Sequence, residues 1–198
     1  MTDSNREEPL GAFIFKNRGA LLAIPALALV TLGRPTSRSI WRGLPLAILG
    51  ELLRCWAVGY SGTTTRSDRV EAPQLVTAGP YAHIRNPLYL GNTITALGFA
   101  IAFAGKSRSR RTGFMLTTLA SMVTVYGFVV RHEERFLADR FGDAYADYCT
   151  RVPAFGWRLK PAPFARGTYD GSVIAAAESR TFMTFAAMLA ALVLRRRD

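Results

Sequence analysis

The chain has 198 residues, 49% of them hydrophobic, yet 25 lysines and arginines against 14 acids give a formal charge of +11. That length fits one domain, with or without appendages, while two cysteines, Cys55 and Cys149, and two scattered histidines, His83 and His132, leave no basis for a disulfide framework or a metal centre. The basic residues cluster at the ends of apolar runs, as in "RPTSRSIWR", "KSRSRR" and "RRR", which is the pattern of helix ends anchored at lipid headgroups rather than of a nucleic-acid face.

Residues 1–11 read as a disordered or interfacial tail, polar and acidic at Glu7 and Glu8, with no cleavable leader evident. A first apolar helix is expected over Phe13–Leu32, with Lys16 and Arg18 placed to snorkel. A second is expected over Ile40–Tyr60, a third over about Leu88–Ala104, a fourth over Thr112–Val130 and a last over Val173–Leu194. About 20 apolar residues cross a bilayer. The second and fourth meet that comfortably, the first and third are short or carry charges, and the last is strongly apolar only from Phe182. Four spans are expected, with a fifth as a candidate, in an integral multi-pass protein of the inner or plasma membrane.

Two polar stretches interrupt this pattern. Between the second and third helices, Pro73, Gly79, Pro80 and Pro87 forbid continuous helix. Beyond the fourth, Phe136, Leu137, Phe141, Tyr145 and Tyr148 fall at helical spacing and predict an amphipathic helix lying on a membrane surface or capping the bundle. Both stretches flank one helical hairpin and so belong on the same side. Arginines at both ends leave the orientation open. The fold class expected is therefore all-α, a polytopic membrane bundle of four to five spans with a re-entrant or surface cofactor-binding segment and an amphipathic C-terminal helix.

Charged and aromatic residues within the spans have simple readings. Glu51 and Arg54, at i and i+3, can pair with each other or serve a site inside the membrane. Glu178 and Arg180 read as a surface feature, and Trp41, Trp56 and Trp157 as interfacial anchors. Asn86 suits a helix N-cap with Pro87 at the first position, but that leaves Tyr81, Arg85, Tyr89 and Gly91 without a role. Gly91, costly in a helix, points to close approach of something to the backbone. In "RHEER", Arg131–Arg135, the glutamates form a solvated charge patch. Alternatively, one faces inward to hold an ammonium while Arg131 holds a carboxylate. Adjacent helical residues point about 100° apart, so Glu133 and Glu134 cannot play the same part.

Taken together, "LVTAGPYAHIRNPLYLG", an apolar hairpin and "EERFLADRFGDAYADYCTRVP" resemble the isoprenylcysteine carboxyl methyltransferase family and its bacterial phospholipid-methyltransferase-like relatives. The match runs from about Pro73 to Pro153. The resemblance implies an S-adenosylmethionine-dependent membrane methyltransferase acting on the carboxylate of an isoprenylcysteine or similar lipidic acceptor, or on a phospholipid amine. Its partners would be membrane lipids and a lipidic or prenylated acceptor, with no nucleic acid and no metal. It implies cofactor contacts at Pro73, Gln74, Leu75 and Val76, continuing through Tyr81 to Asn86, Pro87, Leu88 and Tyr89, and ending at Glu133. Arg85 and Arg131 are the candidate catalytic, substrate-side residues. Two positions depart from the family pattern: the box histidine is Asn86 here, and the substrate-side arginine is Val129. Two alternatives stay open: a sterol-type reductase using NADPH, whose C-terminal region is similar, and a non-catalytic lipid-binding scaffold, which the two departures favour. The domain division expected is 1–72 for the tail and first two helices, 73–160 for the methyltransferase-like core, and 161–198 for a C-terminal extension.

Overall fold

The computed structural model describes residues 9–62, 72–163 and 165–197. Residues 1–8 of the tail expected over 1–11 lie outside the described residues, as do residues 63–71 of the first polar stretch, whereas residues 9–11 are not tail but the start of α1. The described residues form six α-helices and no strand: α1 Pro9–Leu32, α2 Ser37–Ser61, α3 Pro87–Ala104, α4 Arg108–Phe141, α5 Asp143–Arg151 and α6 Ile174–Leu194. Four segments are long and apolar enough to cross a membrane, namely Leu10–Leu32, Pro87–Ala104, Arg108–Phe141 and Gly171–Leu194. The chain is thus a polytopic helical bundle.

The ranking of spans changes from the expectation. The first, third and last helices all qualify by length and apolarity, whereas α2, expected to be comfortable, is not among the four. Arg38, Arg42, Glu51 and Arg54 lie along it. Packing accommodates these charges. α2 runs antiparallel to α3 along a seam of small residues, where a Cβ on Gly50 would lie 2.5 Å from the Gly91 carbonyl oxygen and one on Gly98 2.4 Å from the Ala47 nitrogen. Gly91 is therefore explained by a neighbouring helix: a Cβ there would meet Gly50 O at 2.8 Å and Arg54 Cγ at 2.7 Å. Polar side chains lock the seam, with Ser39 donating to Ala102 O at 2.7 Å and Thr95 to Ala47 O at 3.2 Å. Trp41 and Trp56 are both partly or largely exposed and stand roughly 22 Å apart along α2 at ~1.5 Å per residue. That spacing fits aromatic belts at two interfaces.

The Glu51–Arg54 pair recruits a third helix. Arg54 lies 2.5 Å from Glu178 Oε2 and 3.6 Å from Glu51, and also hydrogen-bonds Asn92 and Thr181. Glu178, read from sequence as a surface feature, is only 1% exposed. It sits on the face of α6 that packs on α2. A buried carboxylate needs such a partner, since removing one member of a buried pair leaves an uncompensated charge. Arg180, two residues on, is exposed as expected.

α4 also differs from the expectation. It does not stop at Val130 but continues to Phe141, 34 residues in all, and breaks only at Gly142, whose φ of +51° is a backbone state that favours glycine. The amphipathic stretch is accordingly split between the last turns of α4 and the nine-residue α5. Leu137, Phe141, Tyr145 and Tyr148 still share one apolar cluster, with Leu75 and Ala162.

Candidate active site

The turn-rich segment 72–86 is held at one end of the bundle by backbone hydrogen bonds to the chain after α5. Arg85 N donates to Pro153 O, Arg158 N to His83 O, Ala162 N to Ala82 O and Thr77 N to Arg166 O, each at 2.9–3.0 Å. His83 Nδ1 lies 2.7 Å from Arg158 O, and its ring stacks on Trp157 at 4.7 Å. Gly79 turns the strip at φ +59°, where a Cβ would lie 2.2 Å from the Tyr60 ring. Asn86 occupies the N-cap position of α3 with Pro87 next, as the residues suggest, but its side chain does not cap the helix. Instead, Asn86 Nδ2 donates to Glu134 Oε1 at 3.4 Å and to Ala154 O at 3.3 Å.

These constraints bring the first polar stretch against the end of α4 around a cavity of about 180 Å³. Of the expected cofactor residues, Pro73, Gln74, Leu75, Val76 and Tyr81 form one wall. Asn86, Leu88, Tyr89 and Glu133 form another. Pro87 is not on the wall but fully buried at the first turn of α3. Arg85 reaches the cavity. Arg131 does not; it faces a separate groove of about 800 Å³ between α3 and α4, lined by Leu90, Val123, Phe128 and the 66%-exposed Phe155. Asn86 and Tyr89 line both spaces, so cavity and groove share a wall.

The two glutamates diverge as helical geometry requires. Glu133 faces the cavity, where its Oε1 accepts from the Tyr89 hydroxyl at 2.5 Å, and Tyr89 packs on Tyr126 at 4.6 Å. Glu134 turns to the groove and to Arg85. Arg85 Nε and Nη2 both lie 3.0 Å from Glu134 Oε1, while Nη1 donates to Cys149 O at 3.3 Å and Val152 O at 3.2 Å. Partial burial opposes the Arg85 charge most strongly, but Glu134, Cys149 and Tyr145 together outweigh it and hold the guanidinium pKa above its ordinary value. Arg85 thus ties α3, α4 and α5 together with every nitrogen engaged.

The sequence reading passed over several wall residues: Phe15 from α1, Ser61 from the end of α2, Leu137 from α4, and Tyr145 and Tyr148 from α5. The two tyrosines were legible as members of the FG-x-x-Y-x-x-Y stretch. Tyr148 donates its hydroxyl to Tyr81 O at 2.8 Å, and burial pushes its phenol pKa up. Burial raises the Tyr81 phenol too, with a hydrogen bond to Ser61 working the other way. Phe15 had no local signal, because it meets the site only once α1 packs on α4. There Phe15 joins the cluster of Met122, Val125, Tyr126 and the fully buried Val129.

Comparison with known proteins adds a family. The model for the phospholipid methyltransferase family matches residues 39–144, just over half of the chain. The cobalt-zinc-cadmium resistance protein CzcN of Cupriavidus metallidurans is 33% identical over 118 residues, 59% of this chain and 47% of that protein. Protein-S-isoprenylcysteine O-methyltransferase B of Arabidopsis thaliana is 31% identical over 119 residues, 57% of this chain and 56% of its own. The protein-S-isoprenylcysteine O-methyltransferase of Schizosaccharomyces pombe is 35% identical over 112 residues, 54% and 44% of the two chains. The chain spans about half the length of these curated relatives. No solved structure matches it.

Proposed function

Because this chain belongs to the phospholipid methyltransferase family, we propose that it transfers a methyl group from S-adenosylmethionine to a lipidic acceptor at the membrane boundary. The acceptor class is the carboxylate of an isoprenylcysteine or similar thioether, or a phospholipid amine. One observation carries the reading: a cavity walled by residues 73–76, Tyr81 and Glu133 stands against the groove between α3 and α4, and the two share Asn86 and Tyr89.

The cavity lining suits the proposed donor. Glu133 offers a carboxylate to the ammonium of its amino-acid end, fixed in place by Tyr89. Leu75, Val76 and Leu88, with Tyr81, offer apolar and aromatic surface for a nucleoside. When bound, S-adenosylmethionine supplies an electrophilic methyl on a sulfonium, open to in-line displacement. The residues of the chain then have two tasks, alignment and exclusion of water. The α3–α4 groove aligns an acceptor by its apolar tail, and Arg131 at its polar end can take an anionic head. A carboxylate acceptor needs no general base at neutral pH, whereas an amine would first have to lose a proton. Arg85 serves as a positioning residue, holding Glu134 and the end of α5 so that the shared wall keeps its shape. The experiment is incubation of the protein with methyl-labelled donor and native membrane lipid extract, followed by chromatography. A labelled lipid that disappears with Glu133→Ala supports the reading, and its absence with active-concentration protein counts against it.

A further inference from the structure

A second cleft opens between α1 and α6, and the proposed methyl transfer makes no use of it. Four cations line it: Lys16 and Arg18 near the start of α1, Arg180 near the start of α6, and Arg54 from α2. Among the described lining residues the carboxylate is Glu178, which pairs with Arg54, and the Arg18 charge also acts on nearby Glu133. Arg18 is anchored, donating to Phe15 O at 2.6 Å with its guanidinium 4.1 Å from the Phe15 ring centre, whereas Lys16 and Arg180 are exposed.

Deeper in the bundle the lining changes character. Leu22, Ala26, Asn92, Thr181 and Thr184 line both this cleft and a largely apolar cavity of about 180 Å³ behind it, so the two share a wall; Glu51, paired with Arg54, also lines the inner cavity. The inner cavity ends among Leu29, Phe99, Phe185 and Met188. From Arg18 to Leu29 along α1 is roughly 16 Å, and from Arg180 to Met188 along α6 roughly 12 Å, at ~1.5 Å per residue. Charge at the rim, hydroxyls beneath and hydrocarbon at the bottom reproduce the polarity profile of half a lipid molecule, at the end of the bundle where headgroups lie.

We propose that this cleft binds one anionic phospholipid, its phosphate on Lys16, Arg18 and Arg180 and one acyl chain passing between α1 and α6 into the apolar cavity. The charge complementarity selects the headgroup, because the exposed Lys16 and Arg180 are matched by an anionic lipid and not by a net-neutral one. The occupant backs onto Leu88 and Tyr89, which line this cleft and the candidate active site alike. Its binding does not depend on the methyl-transfer reading.

The test is native mass spectrometry of the full chain released from neutral detergent, titrated with phosphatidylglycerol or with phosphatidylcholine. The expected result is a single tightly retained phosphatidylglycerol. The Lys16→Ala/Arg180→Ala pair should weaken it roughly thirty-fold, the combined weight of two headgroup-facing cations. Ala26→Trp, which obstructs the tail's passage without changing charge, should weaken it as well. Arg108→Ala/Arg111→Ala, at the other end of the bundle, should leave it unchanged. Circular-dichroism melts matching wild type certify that each variant is folded. Equal retention of phosphatidylcholine, equal loss in the Arg108/Arg111 pair, or indifference to Ala26→Trp would each overturn the proposal.

Discussion

The Tyr89 hydroxyl donates to Glu133 Oε1 at 2.5 Å, joining the first turn of α3 to the last third of α4 across 44 residues of sequence. This contact makes one site of two separate motifs and holds a carboxylate on the cavity wall. Glu133→Ala is expected to abolish binding of S-adenosylmethionine, as read by equilibrium dialysis. Tyr89→Phe should weaken it roughly ten-fold or more, since a hydrogen bond to a charged group contributes about 1.5–3 kcal/mol. Tyr89→Phe binding as tightly as wild type would show that the carboxylate needs no such fixing.

Arg85 is expected to act through structure. Arg85→Ala removes the ion-pair partner of Glu134 and the donor to two carbonyls, of Cys149 and Val152, and should lower thermal stability by about 1–3 kcal/mol. Turnover should fall while donor binding is largely retained, because Arg85 is committed mainly to Glu134 and the two carbonyls. Arg85→Lys should rescue little, as a point charge cannot reach three partners in a fork. Loss of donor binding equal to that of Glu133→Ala would contradict this division of roles.

How much of this was legible in the residues depended on the range of the interaction. The strip from Pro73 to Tyr89 could be read as one unit because proline and glycine fix its backbone locally, and the divergence of Glu133 and Glu134 follows from helical geometry alone. The long-range pairings could not be read. Glu178 looked like surface because its partner, Arg54, lies 124 positions away, and Phe15 reached the site only through helix packing. Hydropathy also misjudged α2, which tolerates its charges by offering glycines to α3 and Arg54 to α6. The continuation of α4 through "RHEERFLADRF" was missed for a similar reason, since a polar surface suggested an end where only Gly142 provides one.

The glycine seam predicts opposite outcomes for one substitution at two places. Gly98→Ala drives a methyl into the α2 backbone at Ala47, 2.4 Å away, and should destabilise the bundle by about 1–3 kcal/mol. Gly113→Ala, on α4 with nothing within 4 Å, should gain up to about 1 kcal/mol from helix propensity. Thermal melts in detergent read both. Equal effects would mean the α2–α3 contact is looser than described.

Alkaline pH gives a further check through Tyr148. Its phenol pKa is raised by burial, so the folded protein keeps the proton after the unfolded chain loses it at about pH 10. Folded-state stability from this group is therefore present in full below pH ~10 and falls as pH rises beyond it. Tyr148→Phe should flatten that alkaline decline while removing the hydrogen bond to Tyr81 O, at about 1 kcal/mol at neutral pH. An unchanged decline in pH-resolved melts would assign it to other groups.

The most direct measurement is calorimetric titration of the detergent-purified chain with S-adenosylmethionine and with its demethylated product, for wild type and Glu133→Ala. The account predicts saturable heat with both compounds in wild type and none in the variant. Wild-type silence toward both, together with binding of reduced nicotinamide cofactor, would contradict it.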